Sequence, residues 1–240
     1  MGQDVAPGTS RVGTPAPGRR RPTLYQRDYI LRQVEMAAQM LARILGLAKG
    51  GRRDEAIGLF EQAYQPLVGV SGRVVAALSE EQLLTLLTSG SSPDPRRVTV
   101  AVELLVTEAD LLAEAGRSAD ATTRYRRALG LAAYLASHTG SLPDPALAAR
   151  LVTRAGHLDL SPRQRLHLCR LQEALGRYAD AEDSLFEVID DDPDDTAAVD
   201  EGITFYQRLL AREDAELEAG GLPRDEVRAA LSELLRRQVG

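Results

Sequence analysis

Three short segments of this chain repeat one arrangement: Gly51-Arg52-Arg53-Asp54-Glu55-Ala56, Gly116-Arg117-Ser118-Ala119-Asp120-Ala121 and Gly176-Arg177-Tyr178-Ala179-Asp180-Ala181. Each glycine is followed five residues later by Ala, nine later by Phe60, Tyr125 or Leu185, and twelve later by Ala63, Ala128 or Val188. Glycine reverses the chain between two antiparallel helices because it takes left-handed backbone angles without penalty. The alanine lets the second helix approach the first closely, and the large residue one turn on fills the space between them. The pattern predicts an all-α protein of helix hairpins.

Composition agrees. Aromatic residues are 4% of the chain and Trp is absent, which disfavours sandwiches and barrels and suits helices of Ala, Leu, Arg and Glu. Residues 1–22 lack hydrophobic periodicity and carry the run Arg19-Arg20-Arg21, so a disordered basic leader is expected there, with one helical domain over 23–240. Capping signals divide that domain. Thr23 with Gln26, Ser79 with Gln82 and Ser161 with Gln164 make capping boxes, while Asp94-Pro95 and Asp144-Pro145 place a carboxylate before a proline at the first helical position. Gly140, Gly156 and Gly176 act as stops. The predicted helices are 24–48, 53–67, 71–78, 79–89, 95–115, 118–138, 144–155, 161–175, 178–190, 195–219 and 224–238. No strand is predicted, and Ser89-Gly90-Ser91-Ser92 is read as a flexible connector.

The three glycine segments resemble the tetratricopeptide repeat. The third copy fits best, with Tyr178 before the alanine segment and Pro193 closing the unit. The copies lie 65 and 60 residues apart, where that family spaces them by about 34, so other helices are inserted between them. The resemblance implies antiparallel hairpins in a curved tetratricopeptide-like array. The first helix is similar to the opening of an uncharacterised bacterial family with tetratricopeptide-like bodies, which begins Asp-Tyr-Ile-x-Arg, matched here by Asp28, Tyr29, Ile30 and Arg32.

Several function classes find no support. The formal charge is −6, so general nucleic-acid affinity is not expected. No apolar run approaches the ~20 residues of a membrane span. A single cysteine, Cys169, excludes an internal disulfide and points to a reducing, cytoplasmic setting. His167 and Cys169, two residues apart on a helix, face away from each other and do not form a metal pair; Cys169 matches Ala109 and Ile44 as a core position. His138 reads as a cation near a helix C-terminus. Asp190-Asp191-Asp192-Pro193-Asp194-Asp195 lacks the alternation of a calcium loop and is read as a turn whose last carboxylates cap the next helix. No phosphate loop, dinucleotide fingerprint or nucleophile elbow occurs, so neither an enzyme nor a cofactor is expected.

In tetratricopeptide folds the first helix of each pair lines a concave groove. Alignment on the three glycines implies Ala38, Leu41 and Leu45 in the first copy, Glu103, Val106, Asp110 and Glu114 in the second, and Arg163, Leu166, Arg170 and Glu173 in the third. An apolar, an acidic and a basic wall in that order would suit an amphipathic helix or an extended peptide. Filling of the groove by the inserted helices is the alternative. The first helix also carries apolar residues on more than one stripe, among them Tyr29, Met36 and Met40, so it is either sandwiched in the domain or forms a homodimer seam; membrane contact ranks last. The expected function is a non-catalytic module binding a partner protein or peptide. A ligand- or peptide-sensing regulatory domain is second and an all-helical enzyme third.

Overall fold

The computed structural model describes residues 24–193 and 195–239. The expected leader over 1–22 and the capping pair of Thr23 with Gln26 lie outside what is described. The described chain is almost wholly helical: α1 Leu24–Lys49, α2 Arg53–Ala63, α3 Gln65–Val68, α4 Gly72–Ala77, α5 Glu80–Leu86, α6 Pro95–Glu114, α7 Ser118–Thr139, α8 Pro145–Ala155, α9 Pro162–Ala174, α10 Tyr178–Asp191, α11 Thr196–Leu210, α12 Asp214–Ala219 and α13 Arg224–Val239. No described helix is long and apolar enough to cross a membrane.

The predicted hairpins are α1/α2, α6/α7 and α9/α10, and each is turned by its glycine in the left-handed conformation, with φ of 76°, 77° and 73° at Gly51, Gly116 and Gly176. The turns share one hydrogen-bond pattern. The glycine N–H donates to the carbonyl three residues back and the next N–H to the carbonyl five back, as in Gly116 to Ala113 (3.0 Å) and Arg117 to Leu112 (2.8 Å). This double closure satisfies carbonyls that a helix end leaves free. Beyond the turns, Ala56, Ala121 and Ala181 are buried, as are Phe60, Tyr125 and Leu185 and then Ala63, Ala128 and Val188. The same closure recurs at Gly221, where its N–H donates to Glu218 and that of Leu222 to Leu217, opening α13 without the alanine signature.

Successive pairs pack side by side: α2 and α1 on α6, α7 on α9, α10 on α11, and α11 on α13. Helices α4 and α8 are the expected insertions, together with α5, which packs on α7. The apolar interior forms two clusters. One runs from α1 to α9, the other from Cys169 to Leu234, and α9 serves both, giving Leu168 and Leu171 to the first and Cys169 to the second.

Three boundaries depart from expectation. The helix expected over 53–67 breaks at Tyr64, because Pro66 cannot donate back to the preceding turn. The helix expected over 195–219 divides after Leu210. Arg224, at the start of α13, reaches back to the carbonyls of Leu210 and Arg212, so the end of α11 is capped by a cation and need not propagate. The segment read as a flexible connector is a small antiparallel pair instead, with Thr88 opposite Pro93 and Ser89 opposite Ser92. Gly90, at φ 84°, supplies the positive angle such a two-residue turn requires. The other caps form as expected: Ser79–Gln82 and Ser161–Gln164 are complete boxes, and Asp94, Asp144 and Asp195 accept from the first N–H groups of α6, α8 and α11. Gly156 closes α8 in the right-handed region, so there the stop is not a left-handed one.

Two glycines separate these effects. Gly116→Ala forces a side chain into the left-handed region and is expected to destabilise the protein by about 1–2 kcal/mol. Gly58, inside α2 with open space around it, is expected to gain up to about 1 kcal/mol on substitution by Ala. Thermal or urea unfolding of the two variants measures both, and a destabilising Gly58→Ala or a neutral Gly116→Ala contradicts this account of the turns.

Candidate functional site

Helix α1 buries one narrow stripe. Ile30, Ala37 and Ile44 face the interior, with Val34, Leu41 and Ala48 partly covered beside them. Apolar residues on either side of that stripe stay in water: Tyr29 is 63% exposed, Met36 50%, Leu45 42% and Leu31 36%, and these are four of the six large exposed hydrophobics among the described residues. Leu31 and Leu45 lie on one side of the stripe and Tyr29 and Met36 on the other.

Leu45 and Lys49 form one wall of a cavity of about 310 Å³, with Asp110 and Glu114 of α6 opposite and Arg150 of α8 at the side. The structure thus brings together three predicted groove residues, Leu45, Asp110 and Glu114, and Leu41 lies beside them, partly buried against the core. The acidic wall is already engaged. Asp110 accepts a 2.6 Å hydrogen bond from the Tyr125 hydroxyl and lies 3.3 Å from Arg150 and 3.5 Å from Arg154, while Glu114 pairs with Arg53 at 2.9 Å. Burial and the Asp110 carboxylate raise the Tyr125 pKa, holding the phenol as a donor. Glu103 is half-buried, and loss of water, with Asp144 nearby, raises its pKa.

Val106 corrects the alignment on the glycines. It is fully buried, because α6 is packed against α1, α2, α7 and α8, so it belongs to the core and not to a groove. The third set is likewise occupied by neighbouring helices. Arg163 pairs with Glu81 and lies 3.9 Å from Glu80. Arg170 reaches Glu201 at 2.9 Å, Glu201 lies 3.5 Å from Arg208, and Arg208 holds Glu173 through two hydrogen bonds of 2.9 and 2.7 Å. Glu173 is buried in this chain of charges, and Leu166 packs against the second apolar cluster. The basic wall inferred from sequence is therefore an alternating ladder joining α9 to α11. The signal that could have shown it is the Glu201 to Arg208 spacing on α11, which places both charges on the same side of the helix, two turns apart.

A second polar cluster was not legible in the sequence. Gly130 stands in the middle of α7, where glycine weakens a helix by about 1 kcal/mol relative to Ala. A Cβ there would overlap the carboxylate of Glu80, which crosses the helix through this notch. Glu80 then lies 3.4 Å from Nδ1 of the buried His167, an electrostatic contact too long to count as a good hydrogen bond. Glu80 also lines a second cavity of about 310 Å³ with Arg126, Arg127, Ser161 and Arg163. Burial raises the Glu80 pKa against the pull of Arg163. Burial, aided by Arg170 and Arg163, lowers that of His167 to about 4. Cys169, on the same helix, faces the second apolar cluster, where burial pushes its thiol up to about 12. The two soft ligands thus turn to different sides. His138 stacks on Tyr134 with ring centres 4.3 Å apart, and its Nδ1 lies 3.1 Å from the Tyr134 carbonyl.

The signs of these shifts predict a pH dependence. The fold holds His167 neutral, so its contribution to stability is complete above the ordinary His value of about 6.5 and is lost as pH falls toward about 4. Glu80 acts oppositely, since its raised pKa favours the fold when protonated and loses that contribution as pH rises. The melting-temperature advantage of the wild type over His167→Gln is expected to shrink as pH is lowered through this window. An advantage that stays constant or widens is the contrary result.

Comparison with known proteins gives one match: residues 24–239 fit the family of unknown function DUF6483. No curated protein and no solved structure matches the chain. The matched span takes in every helix from α1 to α13, and the chain belongs to that family.

Proposed function

We propose that the chain is a non-catalytic interaction module, a tetratricopeptide-like array that binds a partner protein or peptide against the wall formed by α1, α6 and α8. The observation that carries this reading is the contrast between two surfaces. The charges inferred to line the groove on α9 are tied to α5 and α11, and Asp110 and Glu114 on α6 are tied to Tyr125 and to arginines of α2 and α8. The α1 wall, by comparison, leaves Leu31 in water and Leu45 in water beside an open cavity. Grooves with an apolar wall and a polar rim take amphipathic helices or extended segments, which bury their apolar face and pair their charges at the edge. Lys49 and Arg150 are cationic groups on that rim, suited to carboxylates of the bound segment. With its one thiol buried, the module fits a reducing cytoplasm.

The second reading, a ligand-sensing regulatory domain, is favoured by the cavity lined by Glu80, Arg126, Arg127 and Arg163, where three cations stand around a part-buried carboxylate. A native-state ligand there raises the melting temperature without any protein partner.

The two readings separate by capture of partners on the full-length chain. Leu45→Arg and Arg150→Glu are expected to weaken binding of a stoichiometric partner by roughly tenfold or more, the scale of an interface anchor, while Arg236→Glu at the exposed end of α13 leaves it intact. Retention of the partner by both wall variants removes the α1 wall from the account. A small molecule that raises the melting temperature of the wild type but not of Arg163→Ala favours the sensor.

A further inference from the structure

Beside its buried stripe, α1 carries a complete second heptad seam. Positions 28, 31, 35, 38, 42, 45 and 49 recur with alternating steps of three and four, the spacing that keeps one line of a helix facing a partner helix, and all of them are exposed. Leu31, Ala38, Ala42 and Leu45 are its apolar members, interrupted by Glu35, and the two alanines allow close approach of another helix. Its charges are polarised: Asp28 and Glu35 lie in the N-terminal half and Lys49 at the C-terminal end.

We infer that the occupant of this seam is the α1 helix of a second copy of the chain, lying antiparallel. This rests on the reading of α1 as a binding wall and names what binds there. The antiparallel register about Ala38 sets Leu31 of one copy opposite Leu45 of the other, and brings Asp28 to within one residue of Lys49. It also aligns the helix dipoles head to tail, with the positive end of each beside the negative end of the other. Parallel pairing stacks Asp28 on Asp28, Glu35 on Glu35 and Lys49 on Lys49, so like charges exclude it. A contact in which each copy offers the same patch is the isologous arrangement of a two-fold dimer, which closes on itself and does not propagate.

Site-directed crosslinking of the full chain tests both partner and direction. Cys169 is buried and does not compete. Under mild oxidation, Leu31→Cys alone and Leu45→Cys alone are expected to remain uncrosslinked, while their equimolar mixture gives a covalent dimer. Asp28→Lys is expected to shift sedimentation toward monomer, and Asp28→Lys with Lys49→Asp to restore the dimer. Crosslinking of either single variant overturns the antiparallel register. A chain that sediments as a monomer from micromolar to millimolar concentration overturns self-association altogether. In that case a partner still lost on Leu45→Arg leaves the binding wall standing with a different occupant. A dimer with the predicted crosslink, alongside partner capture indifferent to the wall variants, instead supports the seam and removes the groove reading.

Discussion

Glu108 is a carboxylate taken out of water in the middle of an all-helical protein, and three helices are arranged around it. It lies on α6, accepts a 2.6 Å hydrogen bond from the buried hydroxyl of Tyr64 at the junction of α2 and α3, and pairs with the buried Arg124 of α7 at 2.8 Å. Burial alone would lower the Arg124 pKa; the hydrogen bond and charge of Glu108 more than offset this and raise it. Burial, with the Glu108 carboxylate beside it, holds Tyr64 firmly as a donor. Removing one partner from such a buried pair costs about 3–5 kcal/mol, since the other charge is left alone in a poor solvent. The first and second hairpins are therefore fixed together by a polar contact that tolerates little displacement.

Arginine does similar work elsewhere by closing helix ends. Arg97, itself buried, donates to the carbonyls of Leu67 and Leu86, where α3 and α5 finish. Arg127 reaches the Leu78 carbonyl past the end of α4, and Arg126 that of Asp159. Free carbonyls at helix ends need donors, and a guanidinium supplies several in one plane. The short inserted helices, too brief to hold themselves together, are clasped to the long ones in this way. The outer side of α1 remains open to solvent.

Much of the fold was legible because its signals are local. Gly51, Gly116 and Gly176 fix left-handed turns that depend only on neighbouring residues, and Ser79, Asp94, Asp144 and Ser161 cap the helices that follow them. The same holds for the core position of Cys169, matched by Ile44 and Ala109, all three buried. The candidate site was less legible because its determinants are distant in sequence. Arg170 and Glu201 meet across 31 residues, Arg208 and Glu173 across 35, and Tyr64 and Glu108 across 44. Neither spacing nor charge pattern specifies such pairs. Gly130 was visible as a helix-weakening residue, but its meaning needs Glu80 to arrive from another helix. Val106 was misplaced because alignment by glycine carries over a groove face without knowing how many neighbours cover α6.

The central physical claim is that stability is concentrated at the polar junction of α2, α6 and α7, leaving α1 as a surface attached by one narrow stripe. Residue-resolved hydrogen exchange on the native full-length chain measures this most directly. The account predicts the slowest amides in α6 and α7 around Glu108 and Arg124, with α1 exchanging faster through local opening. Protection of α1 equal to or greater than that of α6 and α7 would contradict it.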